Sequence, residues 1–215
     1  MYAKFVKRLL DIILSVVALV LLSPLFLILG IWIKADTGGP VLFRQKRIGI
    51  NKRTFNILKF RTMRVDVPHD MPTHMLRNPE KYITRSGRFL RRSSLDELPQ
   101  LWNILIGQMS FIGPRPALWN QTDLIAERDK YGVNDVLPGL TGWAQINGRD
   151  ELELPAKVRR DVEYVMNISF KMDVTIFFIT VGNVLKSKGV VEGGTGMLAP
   201  HIAARREEVR QKEKG

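Results

Sequence analysis

The sequence predicts an α+β fold, mostly helical, carried on an apolar N-terminal segment. Three observations predict it. Residues 12–33 form an uncharged apolar run, two later stretches repeat apolar residues at helical spacing and a third is a short apolar run, and only two short stretches read as strands.

Taken in order, the apolar run comes first. At about 1.5 Å per residue it would extend roughly 33 Å, enough to cross a bilayer. It is longer than the apolar region of a signal peptide, and no A-x-A-like site follows Ile33, so it is expected to stay in the mature protein. Lys4, Lys7 and Arg8 precede the run, and Lys34, Arg44, Lys46 and Arg47 follow it. The positive-inside rule then places both ends on one side of the membrane, the cytoplasmic one. In the middle, Pro24 deletes a backbone hydrogen bond, and the hydroxyl of Ser23 can serve a freed group. A re-entrant helix-break-helix and a proline-kinked spanning helix both fit these features. Asp11 reads as an interfacial charge paired with Lys7 or Arg8.

Asp36-Thr-Gly-Gly-Pro40 ends the membrane element. Val41 to Phe43 and Phe55 to Leu58, on either side of a turn near 49–53, read as short strands or extended connections. Residues 66–79 hold three prolines and two histidines and read as a loop. His69 and His74, five apart, lack the spacing of a helical metal pair. From 95 to 106, Leu95, Leu98, Trp102 and Leu105 make one helical stripe. Residues 155–166 predict an amphipathic helix, with Leu154, Val158, Val162 and Val165 on one side. Residues 174–185 are apolar but too short to span, so they predict a core or interfacial helix. The mixed-charge tail, 203–215, is expected to fray.

The chain has 215 residues, a net charge of +12 and no cysteine. The last fact excludes disulfides, zinc–thiolate sites, Fe–S clusters and cysteine nucleophiles, so a metal would need oxygen or histidine ligands. The charge is concentrated. Residues 41–92 carry 14 basic and 3 acidic side chains, whereas the rest of the chain carries 19 and 18. Such a block faces polyanions: nucleic acid, anionic headgroups or phosphate-bearing substrates.

Directly after this block stand Asp96 and Glu97, preceded by Arg88, Arg91 and Arg92. Guanidinium forks and first-turn N–H groups make a good phosphate site. Their field is expected to keep Asp96 ionised, as a nucleophile or metal ligand requires. Neighbouring helical residues point about 100° apart, so a shared target for both carboxylates calls for an ion between them. A hard Mg²⁺ with few protein ligands and several phosphate oxygens suits that role. The same window, Ser94-Leu-Asp-Glu97, also matches a capping box with no catalytic part. Glu192-Gly-Gly-Thr-Gly196 is neither a P-loop nor a dinucleotide fingerprint.

Four segments together resemble a known family. They are Asn56-Ile-Leu-Lys59-Phe-Arg61-Thr-Met63, Ser94-Leu-Asp96-Glu97-Leu-Pro-Gln-Leu-Trp-Asn103, Gly107-Gln-Met-Ser-Phe-Ile-Gly-Pro-Arg115-Pro116 and Pro138-Gly-Leu-Thr141-Gly-Trp-Ala-Gln145-Ile-Asn-Gly-Arg149. In this order they look like the signature blocks of the bacterial sugar transferases, the monotopic phosphoglycosyl transferases, and the resemblance runs from Lys7 to about Lys188. It favours a re-entrant anchor broken at Ser23 and Pro24. It implies transfer of a phosphosugar from a UDP-sugar to polyprenyl phosphate, with release of UMP and a requirement for Mg²⁺, as an early step of glycoconjugate assembly. By the same resemblance Asp96 is the nucleophile, forming an aspartyl-phosphosugar, and Glu97 holds Mg²⁺ with Asp96 beside it. Arg91 and Arg115 bind phosphate and nucleotide, and Lys59, Gln145, Arg149 and Asp161 lie near the site.

The expected layout is an anchor at 1–35, a catalytic domain at 36–188 and a tail at 189–215, on the cytoplasmic face of a bacterial inner membrane. The chain resembles the minimal catalytic unit, with membrane lipid as a partner and no nucleic acid. No motif selects the sugar or an oligomeric state. The rival expectation is a membrane-anchored binding protein whose basic block docks on anionic lipid or nucleic acid, with salt-dependent binding and no catalysis.

Overall fold

Pro24 has no N–H to offer the carbonyl of Val20, and the apolar run breaks there. In the computed structural model, which describes residues 2–66, 79–148 and 152–185, α1 (Lys7–Leu21) and α2 (Ser23–Thr37) meet at 61°. Ser23 Oγ donates to Val20 O at 2.8 Å, so the freed carbonyl is satisfied locally. Among the described residues no single helix is long and apolar enough to cross a membrane, although the bent pair together has the length and composition.

The faces of α1 are arranged opposite to those of a helix in a water-soluble core. Asp11 and Ser15 are buried, while Leu9, Ile13, Val16, Val17 and Val20 are exposed. Lys7, Asp11 and Ser15 recur every four residues and therefore share the face that packs on the protein. Lys7 Nζ lies 2.6 Å from Asp173 Oδ2, and Arg8 donates to the carbonyls of Ile104 and Leu105 at 2.6 and 2.7 Å. Asp11 accepts from Ser110 Oγ and Phe111 N, both at 3.1 Å. The expected pairing of Asp11 with Lys7 or Arg8 is thus replaced by contacts across the fold, because all three side chains are committed to the face against the domain.

Next come β1 (Leu42–Ile48) and β2 (Thr54–Phe60), an antiparallel hairpin in register from Leu42↔Phe60 to Ile48↔Thr54. The strands run longer than the alternation suggested, and the turn between them uses left-handed backbone at Asn51 and Lys52. Leu29 and Ile33 of α2 pack with Phe60 and with Leu90 of α3 (Arg85–Ser93). Buried Arg61, the residue after β2, donates to Thr37 Oγ1 at 2.8 Å and to Gly38 O, fastening the end of α2 to the hairpin.

The expected helix over 95–106 is two elements, a 3₁₀ turn at Leu95–Glu97 and α4 (Gln100–Leu105). Its buried face is Leu101 and Ile104, while Trp102 is half exposed. The turn bonds at i→i+3 through Leu98 and continues past Pro99, which rotates the stripe away from helical spacing. A parallel pair that the sequence did not signal follows, β3 (Ser110–Ile112) with β4 (Gly139–Thr141). Gly139 is required there, since a Cβ would fall 2.1 Å from the Gly113 nitrogen. Between these strands runs α5 (Thr122–Asp129), and after them the short α6 (Trp143–Ile146).

The predicted amphipathic helix is α7 (Leu154–Met166), which buries Val158, Asp161 and Tyr164. In α8 (Phe170–Leu185) only Asp173 and Ile176 are buried, and Phe177, Phe178, Val181 and Leu185 are exposed. It is a surface helix, not a core one. The architecture is mixed and mostly helical, as expected. His69, His74, Arg149 and the tail lie outside the described residues.

Candidate active site

Two carboxylates sit where three packed elements end. Thr84 caps α3 by accepting from Gly87 N at 2.9 Å, and its own N donates to Thr62 O at 3.0 Å. A Cβ on Gly87 would come 2.0 Å from Thr62 O, so only glycine lets α3 dock this closely. Arg91, in the last turn of α3, is steadied by Thr62 Oγ1 at 2.9 Å. The helix stops at Ser94, which takes up left-handed backbone with φ 58° and swings the chain into the Asp96-Glu97 turn.

Ser94 makes no side-chain cap, and the Glu97 carboxylate does not fold back on it. Glu97 Oε1 instead accepts from Lys59 Nζ at 2.7 Å and Arg115 Nη2 at 3.0 Å. The capping-box reading is therefore overturned, because the two cations outcompete a neutral backbone donor.

Asn103 fixes the distance between these elements. Buried in α4, it accepts from Leu58 N at 2.9 Å and donates to Asn56 O at 2.9 Å, acting as a strand partner for β2. Lys59 is the next residue along that strand. Phe60, which follows it, and Leu90, which precedes Arg91, both lie in the core under α2, so each cation stands one residue from a fixed apolar anchor.

The two carboxyls diverge electrically. Burial opposes ionisation of Glu97, but the charges and hydrogen bonds of Lys59 and Arg115 outweigh it and hold this carboxyl well below the usual range. Asp96 goes the other way. Burial pushes its carboxyl up and Glu97 adds to the rise, against the pull of Lys59, Arg91 and Arg115. Of the arginines that precede the turn, Arg91 pulls the Asp96 carboxyl down as expected, but burial outweighs that pull and the net shift is upward. No hydrogen bond among the described residues engages the Asp96 carboxylate.

Lys59, Arg91, Arg115, Asp96 and Glu97 are brought together; Gln145 and Asp161 are not. Gln145 turns its amide to Leu140 O at 3.0 Å. Asp161, 1% exposed, accepts from Arg128 Nε at 3.0 Å and Nη2 at 2.6 Å, and burial pushes its carboxyl up against the pull of that arginine. Sequence reasoning missed Thr62, Asn103 as a strand partner, and Arg128. Arg128 stands in the run Glu127-Arg128-Asp129-Lys130, which looks like a solvated surface.

Chemically, one clamped anion, one unengaged carboxylate and three cations can hold a diphosphate beside a nucleophile. The donor set also fits Mg²⁺. Asp96 and the second oxygen of Glu97 are hard ligands, and no group of three or more His, Asp or Glu exists among the described residues, so phosphate and water oxygens would complete the shell.

Comparison with known proteins bears on this arrangement. A family model described as Bacterial sugar transferase matches residues 2–187. The chain is 41% identical over 194 residues to a UDP-glucose:undecaprenyl-phosphate glucose-1-phosphate transferase of Xanthomonas campestris pv. campestris, covering 87% of this chain and 40% of that protein. It is 42% identical over 185 residues to an undecaprenyl-phosphate glucose phosphotransferase of Komagataeibacter xylinus, covering 81% of this chain and 35% of that protein. Against EpsL of Bacillus subtilis, named an uncharacterized sugar transferase, identity is 40% over 184 residues, with 86% and 89% covered. The chain thus spans well under half the length of the first two relatives and most of the third. The matched region contains α1 and α2, the Asp96-Glu97 turn and the Arg115 loop, and the chain belongs to the bacterial sugar transferase family.

Proposed function

We propose that this protein transfers a sugar 1-phosphate from a UDP-sugar to polyprenyl phosphate at the cytoplasmic face of a bacterial membrane. The observation that carries the reading is the split between the carboxylates: Glu97 clamped by Lys59 and Arg115, Asp96 unengaged beside it. Asp96 attacks the phosphorus bonded to the sugar, the bond from that phosphorus to the UMP oxygen breaks, and UMP leaves with the electron pair. A polyprenyl phosphate oxygen then attacks the same phosphorus, and the bond to Asp96 breaks, which restores the carboxylate. Lys59, Arg91 and Arg115 offset the charge that would otherwise keep a carboxylate from a diphosphate. Bound Mg²⁺ would neutralise the diphosphate and stabilise the departing UMP.

The reversed faces of α1 support a membrane setting, since a helix with its apolar face outward and its charges inward suits lipid. The bend at Leu22 and the basic residues at both ends support an anchor that enters and leaves on one side. Such an anchor would hold the carboxylates at headgroup depth, where a lipid phosphate and a soluble nucleotide sugar can meet. The name of the Xanthomonas relative makes UDP-glucose the first donor to try, and the Komagataeibacter name also specifies glucose. The test is UMP release from UDP-glucose and a panel of other UDP-sugars, with undecaprenyl phosphate and Mg²⁺. Incubation with donor alone should leave one phosphosugar on Asp96; wild-type turnover by Asp96→Asn would refute the assignment.

A further inference from the structure

Arg115 meets Glu97 from a loop whose backbone is gripped from behind. Arg47 Nη1 donates to Pro116 O at 3.1 Å, and Arg128 Nη1 donates to Arg115 O at 2.9 Å. Ile48 N adds a bond to Ala117 O at 2.9 Å, joining the end of β1 to the same segment. Ala117 in turn packs with Leu124 of α5 and Val158 of α7.

Arg128 is 4% exposed, and the rest of its fork rests on Asp161 Oδ2. A buried ion pair of this kind adds little net stability, because desolvation of both charges offsets their attraction. Its geometry has a more specific consequence. A guanidinium bonded twice to one carboxylate is fixed in its plane, so its remaining arm has a fixed direction. That arm ends on the carbonyl of Arg115. The chain of contacts therefore runs from α7 through Asp161, across to Arg128 on α5, into the backbone of Arg115, and out through the Arg115 side chain to Glu97.

We propose that the Arg128–Asp161 pair positions Arg115 for the phosphates of the nucleotide-sugar donor, without either member touching substrate. The proposal rests on the functional reading above, in which Arg115 faces the donor.

The test replaces both members, Arg128→Met with Asp161→Leu, so that no lone charge is left buried. With donor and acceptor varied separately, the expected result is a donor KM raised about tenfold, kcat within about threefold of wild type and an unchanged acceptor KM. Combined with Arg115→Ala, the double replacement should add no further rise in donor KM, because its effect passes through that side chain. Multiplying effects would overturn the proposal, as would a wild-type donor KM. A lowered melting temperature with kcat and both KM values altered alike would also overturn it, showing a merely structural role. Should the double replacement fail to fold, Arg128→Lys keeps the charge beside Asp161 but loses the fork, and the same rise in donor KM is expected. If Arg115→Ala alone left donor KM unchanged, the functional reading of Arg115 would fail first, which separates the two failures.

Discussion

Lys59 and Glu97 form a 2.7 Å ion pair in which the lysine side chain is 17% and the glutamate side chain 22% exposed. The same ammonium also lowers the neighbouring Asp96 carboxyl, which burial otherwise raises. One lysine therefore acts on two carboxyls that are shifted in opposite directions. In the proposed reaction Asp96 attacks as the carboxylate, so any change that raises its carboxyl further should move the acid limb of the rate profile to higher pH. Lys59→Met should shift that limb upward and lower kcat/KM by about 10²-fold. Lys59→Arg, which keeps the charge, should move the limb much less. A pH–rate series on UMP release checks both, and an unmoved acid limb in Lys59→Met would sink the assignment.

The adjacent carboxyls should have opposite effects on stability. The Asp96 carboxyl is raised above its ordinary 3.8, so its ionised form is less favourable in the folded chain than in the unfolded one. That penalty is fully present above the folded value and vanishes below the unfolded one. Asp96→Asn should thus melt higher than wild type near neutral pH, with the gain fading as pH falls through the folded value and gone below 3.8, while activity drops by about 10³-fold or more. Glu97 is lowered from 4.5, so its ionisation stabilises the folded chain above that pH and the benefit is lost as pH falls through the folded value. Glu97→Gln should melt lower than wild type near neutral pH and converge with it in acid. Thermal melts of the detergent-solubilised protein at several pH values distinguish the pair; a like sign for both variants would contradict the electrostatics described.

Features set by neighbouring residues were legible in the sequence, and features set by distant ones were not. Ser23-Pro24 announced the break because the lost hydrogen bond and its replacement lie within four residues. The Asp96-Glu97 turn stood out because Arg91 precedes its acids by a few residues, whereas Lys59 and Arg115, which clamp Glu97, lie 38 and 18 residues away and came only from the resemblance. Arg128 gave no signal, since its partner Asp161 lies 33 residues away and its own neighbours are charged. The three-residue β3 and β4 are too short for alternation to show, and their pairing depends on a glycine contact visible only in three dimensions. Asp11 was misread for a related reason. Nothing local tells whether a charge at the end of an apolar helix faces water or the body of the protein.

Asn103 offers a test of how the site is held. Its amide bonds Leu58 N, Asn56 O and Gln108 Oε1, at 2.9, 2.9 and 2.7 Å, from a fully buried position. Asn103→Leu fills similar volume but leaves strand groups without partners, at a cost of about 2–4 kcal/mol. Because β2 carries Lys59, activity should fall further than the loss of folded protein explains. Denaturant melts and UMP release on the same preparations give the two quantities, and full specific activity of the folded fraction would show that Asn103 does not hold Lys59 in place.

The bend at Leu22 supplies the topology prediction. Ser23 Oγ satisfies the Val20 carbonyl that Pro24 cannot, so the 61° angle leaves that backbone acceptor paired, as the proposed membrane setting requires. Cysteines introduced before Lys7 and after Lys34 should be labelled by a membrane-impermeant maleimide from the same side of inverted vesicles. Replacing Ser23 and Pro24 together by leucine restores an unbroken helix long enough to span. In that variant the two cysteines should label from opposite sides, or the chain should fail to insert, because Lys7, Arg8 and Asp11 would no longer reach their partners on α4, β3 and α8. Activity should be lost with either outcome, since the carboxylates would leave the headgroup depth proposed for them. Same-side labelling of the leucine variant with full activity would show that the break does not set the topology.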